Sequence, residues 1–156
     1  MFKTIIWATD GSANADRALA YATQLAHEAD CPLVAVHSKE LLTGRAGGYP
    51  LLADEDDVEG KIAKQVEEAK GDGLDARVIF AGGIAGHAAN TIAEVAAAHG
   101  ADLIVVGTRG QTAFAGLMLG SVAQRLLHVA PCPVLAVPPS THVDSTGPHK
   151  TLEKVR

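Results

Sequence analysis

The stretch Gly107 to Ser121, GTRGQTAFAGLMLGS, carries the residue types of an anion site. An apolar run, Leu103 to Val106, leads into it, and a helical pattern, Val122 to Val129, follows it. A buried strand therefore runs into a glycine-rich loop that ends at a helix start. Backbone N–H groups in the first turn of a helix lack intrahelical partners and carry partial positive charge, so they bind anions such as phosphate. Gly107, Gly110 and Gly120 let the backbone turn tightly and approach a ligand where a Cβ would clash. Ser121 can cap the helix or give its hydroxyl to a phosphate oxygen. The same spacing also fits an ordinary strand-to-helix loop.

A second group with chemical capacity is Asp10, which follows the apolar run Thr4 to Ala8. Beside a phosphate cradle it can accept from an adenine amine or a ribose hydroxyl, or help hold a magnesium ion. Taken alone, Asp10-Gly11 reads as a plain turn. A P-loop needs a lysine before its Ser/Thr, and here Ser121 follows Gly120 directly. A phosphate at this loop would then rely on backbone dipoles and any metal. Ala81 to Gly86, AGGIAG, lacks the first glycine of a dinucleotide fingerprint and reads as a turn leading into a helix. The seven histidines are scattered, with no HExxH or paired-ligand spacing. His37 ends a strand and His87 opens a helix. Arg109, inside the loop, could approach a phosphate but reads first as a solvated loop residue, and Asp54 to Asp57 read as a solvated acidic face complementing a helix dipole.

These residues need a frame that brings them together. Strands are expected at Thr4–Ala8, Leu33–His37, Ala76–Phe80, Leu103–Val106 and Val134–Val137. Helices are expected at Ala13–Ala29, near 55–70, at Ala85–His99 and at Val122–Val129, with a loop from Leu41 to Asp54. Continuous apolar strands alternating with helices predict an α/β fold: an open, doubly wound, five-stranded parallel sheet with helices on both faces. Such sheets bind ligands beyond the carboxyl ends of the strands, at the switch in strand order. That edge would hold Asp10, the residues after His37, Gly82–Gly83 and Gly107–Ser121. After Pro138 the chain turns polar and aperiodic, so residues 139–156 read as a flexible tail.

Composition narrows the function classes. The chain has 156 residues and a net charge of -5, with no Lys/Arg cluster, which gives nucleic acid no electrostatic footprint. Aromatic residues are only 4%, too few for a base-stacking platform. No segment has the length of a transmembrane helix, and the N-terminal run lacks signal-peptide features, which points to the cytoplasm. Cys31 and Cys132 form no CxxC or metal-ligand pattern and read as small, half-buried residues.

The glycine spacing G-x2-G-x9-G-[ST], met by Gly107, Gly110, Gly120 and Ser121, resembles the universal stress protein family of the nucleotide-binding type. So do the opening TIIWATDGS and the flanks DLIVVGTRG and LLHVAPCPVLAVP, over residues 2 to 138. The resemblance implies an adenine nucleotide α-hydrolase-like fold and an ATP site, with or without Mg. Asp10 would lie near adenine or ribose, and Ser38 would meet adenine through its backbone. Gly107 and Gly110 would line ribose and phosphates, while Gly120, Ser121 and Val122 would bind phosphates through N–H groups. Ala8 departs from the family, where relatives often carry proline. The resemblance further implies a homodimer paired through the last strand, Val134, Leu135, Ala136 and Val137. It also implies a stress or signalling role without dedicated catalytic machinery, in which slow ATP hydrolysis or self-phosphorylation stays open. An adenylating or α-phosphate-cleaving enzyme on the same fold is the alternative, but such enzymes show an SGGxDS-type loop where this chain has ATDGSANAD.

Overall fold

The computed structural model describes residues 1–44, 47–50, 54–110 and 119–139. Its elements are β1 (Ile5–Ala8), α1 (Ala13–Ala29), β2 (Leu33–Gly44), β3 (Gly47–Pro50), α2 (Glu55–Gly71), β4 (Ala76–Ile84), α3 (Ala88–Ala98), β5 (Leu103–Gly107), α4 (Ser121–Val129) and β6 (Val134–Val137). Five strands run parallel in the order β4-β2-β1-β5-β6. This is the expected open, doubly wound sheet. The order reverses at β1, whose neighbours are β2 and β5. The carboxyl ends of β1 and β5 therefore flank the switch point, with Ala8 opposite Val106.

Alternation along the strands divides the core in two. Ile5, Trp7, Leu33, Ala35, Leu103 and Val105 pack with Ala18, Ala22 and Ala26 of α1 and with Ile62, Val66 and Ala69 of α2. Ile6, Ala8, Val34, Val36, Ile104 and Val106 pack on the other face with Ala89, Ile92 and Ala96 of α3 and with Ala123 and Leu126 of α4. The period-2 strands bury both faces because helices cover both. Alanines on the inner faces of α1 and α3 let those helices sit close to the sheet. Trp7 Nε1 donates to the Ala15 carbonyl at 2.9 Å, which fixes α1 over β1. α1 begins where Ser12 accepts from the Ala15 N–H at 3.3 Å, the capping role its type predicts.

Three expectations about element bounds are corrected: the loop at 41–54, the end of the third strand and the start of the third helix. Part of the segment expected as a loop, 41–54, is a β-hairpin: β2 continues to Gly44 and pairs antiparallel with β3, Leu41 opposite Pro50 and Gly44 opposite Gly47. Gly44, Gly47, Gly48 and Pro50 read locally as chain breakers, but cross-strand pairing supplies a ladder that local composition does not reveal. Residues 45–46 and 51–53 of that segment lie outside the described residues. β4 likewise passes through Gly82 and Gly83 to Ile84, because the longer β2 gives it a partner up to Leu41. Gly83 serves close packing: a Cβ there would stand 2.7 Å from Thr91 Oγ1 on α3. α3 starts at Ala88 after Gly86, whose φ of +83° makes the turn.

Candidate functional site

β1 ends at Ala8, and the chain leaves it through Thr9, Asp10 and Gly11. The Thr9 N–H donates to the Val36 carbonyl at 3.0 Å, so the strand's last rung holds this turn against β2. Asp10 Oδ1 accepts from the Ser12 N–H at 3.0 Å, and Gly11 turns with a φ of +77°. These local bonds aim the Asp10 carboxylate across the switch point toward the loop after β5. The approach is close: a Cβ on Gly110 would lie 2.5 Å from Asp10 Oδ2. Gly107 is similarly placed against α1, since a Cβ there would lie 2.6 Å from Asn14 Nδ2 and 3.0 Å from the Asn14 carbonyl. Asn14 Nδ2 in turn donates to the Arg109 carbonyl at 3.2 Å. Gly107 and Gly110 thus meet protein groups, where a glycine loop suggests approach to a ligand.

The loop closes on itself at its far end. The Gly120 N–H donates to the Thr108 carbonyl at 2.5 Å, while the Thr108 N–H donates to the Val137 carbonyl at 2.8 Å. A Cβ on Gly120 would stand 3.1 Å from the Thr108 oxygen. Residues 111–118, between these ends, lie outside the described residues. Gly120 occupies the N-cap of α4, and Ser121 is the first helical residue. Ser121 therefore does not cap the helix, one of its two expected roles; its side chain is exposed at the helix start. The first bond inside the helix, Gln124 N–H to the Gly120 carbonyl at 2.9 Å, leaves the N–H groups of Ser121, Val122 and Ala123 ahead of it.

A cavity of about 500 Å³ opens at this edge. Asp10, Ser38, Gly107, Gly110, Gly120, Ser121 and Val122 all line it. Its size falls within the roughly 300–1,000 Å³ of small-molecule sites. Ser38 is half-buried at the β2–β4 register pair with Ala81. Its Oγ is buried without a hydrogen-bond partner among the described residues and lies near Gly83, on the α3 side of the sheet. Thr108 also lines the cavity, and its buried Oγ1 lacks a partner among the described residues. Among these residues no group of three or more His, Cys, Asp or Glu could hold a metal ion. No helix among them is long and apolar enough to cross a membrane.

One wall of the cavity holds a pair that residue spacing did not announce. His37, 3% exposed, and Glu55, 6% exposed, meet with Nε2 and Oε1 at 2.5 Å. His37 Nδ1 donates to the Thr9 carbonyl at 2.9 Å. A carbonyl only accepts, so Nδ1 carries a proton, and the short Nε2–Oε1 contact holds another on one side or the other. Glu55 thus departs from the solvated acidic face expected for 54–57, although Asp54, Asp56 and Asp57 are exposed. The pair ties the first residue of α2 to the middle of β2 and, through Thr9, to the end of β1. Strand alternation was the available signal: His37 falls on the inward face after Leu33 and Ala35. Lys61 reinforces the same junction by donating to the Gly11 carbonyl and to Asp16 Oδ2, each at 2.7 Å. Arg109, expected as a solvated loop residue, is only partly exposed and lines the cavity with Glu40 and Arg125.

A doubly wound parallel sheet with helices on both faces defines an α/β domain, and its cavity lies at the switch point. The chain belongs to the Universal stress protein family, whose profile it matches over residues 1–138. A universal stress protein of Thermus aquaticus is 36% identical to it over 143 residues, which covers 88% of this chain and 99% of the relative. A solved universal stress protein in complex with cAMP is 26% identical with a TM-score of 0.63, covering 87% of this chain and 96% of that one. Another, from Archaeoglobus fulgidus in complex with dAMP, is 25% identical with a TM-score of 0.62, covering 88% and 98%.

Proposed function

We propose that this universal stress protein binds ATP or a related adenine nucleotide in the switch-point cavity. Occupancy then changes its shape or its affinity for a partner, an equilibrium shift driven by differential affinity. The observation that carries this reading is convergence: seven residues from four separate parts of the chain line one cavity. Asp10 and Ser38 line the cavity, and in this reading they face the base and sugar. The α4 start supplies N–H groups for phosphate oxygens. The orphaned Thr108 hydroxyl offers a further donor at the same wall. Relatives solved with cAMP and dAMP support a nucleotide of the adenine class. Any Mg²⁺ would arrive on the phosphates and keep several waters.

The chemistry favours holding over turnover. His37, the imidazole on the cavity wall, has both ring nitrogens engaged, so it offers no free base to a water or hydroxyl. Hydrolysis would be slow at most, in line with a signalling role and against a nucleotide-using enzyme on the same fold. The reading includes a domain over 1–138 and a homodimer paired through β6. That strand lies at the sheet edge, with Leu135 exposed.

Mass spectrometry of nucleotide released from freshly purified protein, with calorimetric titration of ATP and AMP, tests occupancy. Bound adenine nucleotide or saturable binding is expected. Absence of both at millimolar nucleotide would sink the proposal. Multiple turnover that depends on a second substrate would favour the enzyme alternative.

A further inference from the structure

The charges lining the cavity are unevenly satisfied. Its acids are engaged within the protein. Glu55 is bonded to His37, Glu40 accepts from the Gly86 N–H at 2.9 Å, and Asp10 accepts from Ser12. Its arginines are not. Arg125 makes no hydrogen bond or ion pair among the described residues, and Arg109 Nε is buried without a partner there. Among the described residues, the charge left without a protein partner is therefore positive. It gathers around the start of α4, beside the orphaned hydroxyl of Thr108, which is only 9% exposed.

Arg125 is placed to use that charge. It stands one turn after Ser121, about 6 Å along the helix axis. Side chains on a helix lean toward its N-terminus, so the Arg125 stem leans back over the turn that begins at Ser121. Its side chain is exposed, lines the cavity and is free to swing onto a bound anion. The three leading N–H groups are already as many as the three terminal oxygens of one phosphate group, and the Ser121 hydroxyl adds a fourth donor. A guanidinium beside them gains a partner chiefly when a second or third phosphate is present.

We propose that Arg125 is a specificity-determining residue that makes this site prefer nucleoside di- and triphosphates over monophosphates. It supplies from within α4 the cation that a P-loop takes from its lysine. The inference rests on the nucleotide-binding reading and assigns the phosphate-chain preference of that same site. The lack of a lysine before Ser121 therefore does not leave the phosphates to backbone dipoles and metal alone.

The test is calorimetric titration of ATP, ADP, AMP and inorganic tripolyphosphate, with EDTA present and ionic strength fixed. The proteins are wild type, Arg125→Gln and Arg125→Lys. Wild type should bind ATP and ADP at least about tenfold more tightly than AMP, the scale of one charge-assisted hydrogen-bonded contact. Arg125→Gln should erase that ratio by weakening ATP and ADP while AMP stays within about twofold. Arg125→Lys should recover part of it, since a point charge lacks the guanidinium fork. Equal affinities in wild type, or a Gln variant that weakens AMP as much as ATP, would overturn the proposal. Tripolyphosphate separates the two readings. Arg125-dependent binding of tripolyphosphate without any nucleotide binding would sink the nucleotide reading and keep the polyphosphate site. Failure of all four ligands to bind would sink both.

Discussion

Gly110 and Asp10 approach so closely that a single methyl group separates a formed site from a distorted one. In Gly110→Ala the new Cβ would sit 2.5 Å from Asp10 Oδ2, so the carboxylate or the loop must move. Nucleotide binding should weaken by about tenfold or more, the scale of overpacking by one carbon. Calorimetric titration checks this, and unchanged affinity would remove Asp10 from the site. The His37–Glu55 pair makes a different prediction. Glu55→Ala leaves Nε2 buried without a partner and should cost about 1–3 kcal/mol. In Glu55→Gln the amide can donate to Nε2 while Nδ1 still donates to Thr9, so the loss should be smaller. Urea denaturation of the two variants measures the difference; equal losses would mean that the carboxylate's charge is what matters. The thiols give a pH prediction. Burial, then the nearby Asp102 and Asp30 charges, pushes the Cys31 thiol above its ordinary 9.0. Burial and then Asp102 do the same to Cys132. The folded state thus favours neutral thiols. Their stabilising contribution is full below pH 9.0 and is lost as pH rises through the raised folded values. Denaturation followed upward from pH 9.0 should show stability falling, and Cys31→Ala should flatten that fall.

At the scale of elements, helices were more legible than the ends of strands. α1 spans Ala13 to Ala29 as its spacing and Ser12 predict, because an amphipathic helix carries its cap and its period within itself. β2 and β4 outran their expected ends because a strand's length is set by the strands it pairs with, here β4 and then β3 for β2, and β2 for β4. Gly82 and Gly83 show the distinction. A Cβ at Gly82 meets nothing within 4 Å among the described residues, whereas at Gly83 it would meet Thr91 Oγ1 at 2.7 Å. Gly82→Ala should be neutral or stabilising, and Gly83→Ala should cost about 1 kcal/mol or more by pressing α3 away from β4. Thermal denaturation compares them, and Thr91→Ala in the Gly83→Ala background should recover part of the loss. Equal effects at both glycines would place the cost in strand conformation instead of helix packing.

The whole molecule buries two separate cores, one on each face of the sheet, and leaves β6 at an edge. β6 shares the Val134 to Val137 register with β5 on one side. Leu135 is 36% exposed and Leu127 on α4 is 55% exposed. If β6 pairs with its symmetry mate, sedimentation should give a dimer, and Leu135→Lys should shift it toward monomer by placing like charges across the seam. A monomer in the unaltered protein would end the β6 pairing proposal.

The sequence by itself determined the alternation of strands and helices, the glycine spacing of the loop after β5, and the carboxylate at the end of β1. These depend on local period, turn chemistry and residue type, all of which are written along the chain. Only the tertiary structure decided that Gly107 and Gly110 make room for Asn14 and Asp10, that Glu55 is buried against His37, and that Arg125 lines the same cavity as Asp10 and Ser38. Each of those depends on which strand lies beside which, and on which side of a helix meets the sheet. Residues far apart in the chain acquire a shared dielectric, a shared proton or a shared anion only after the fold has brought them together.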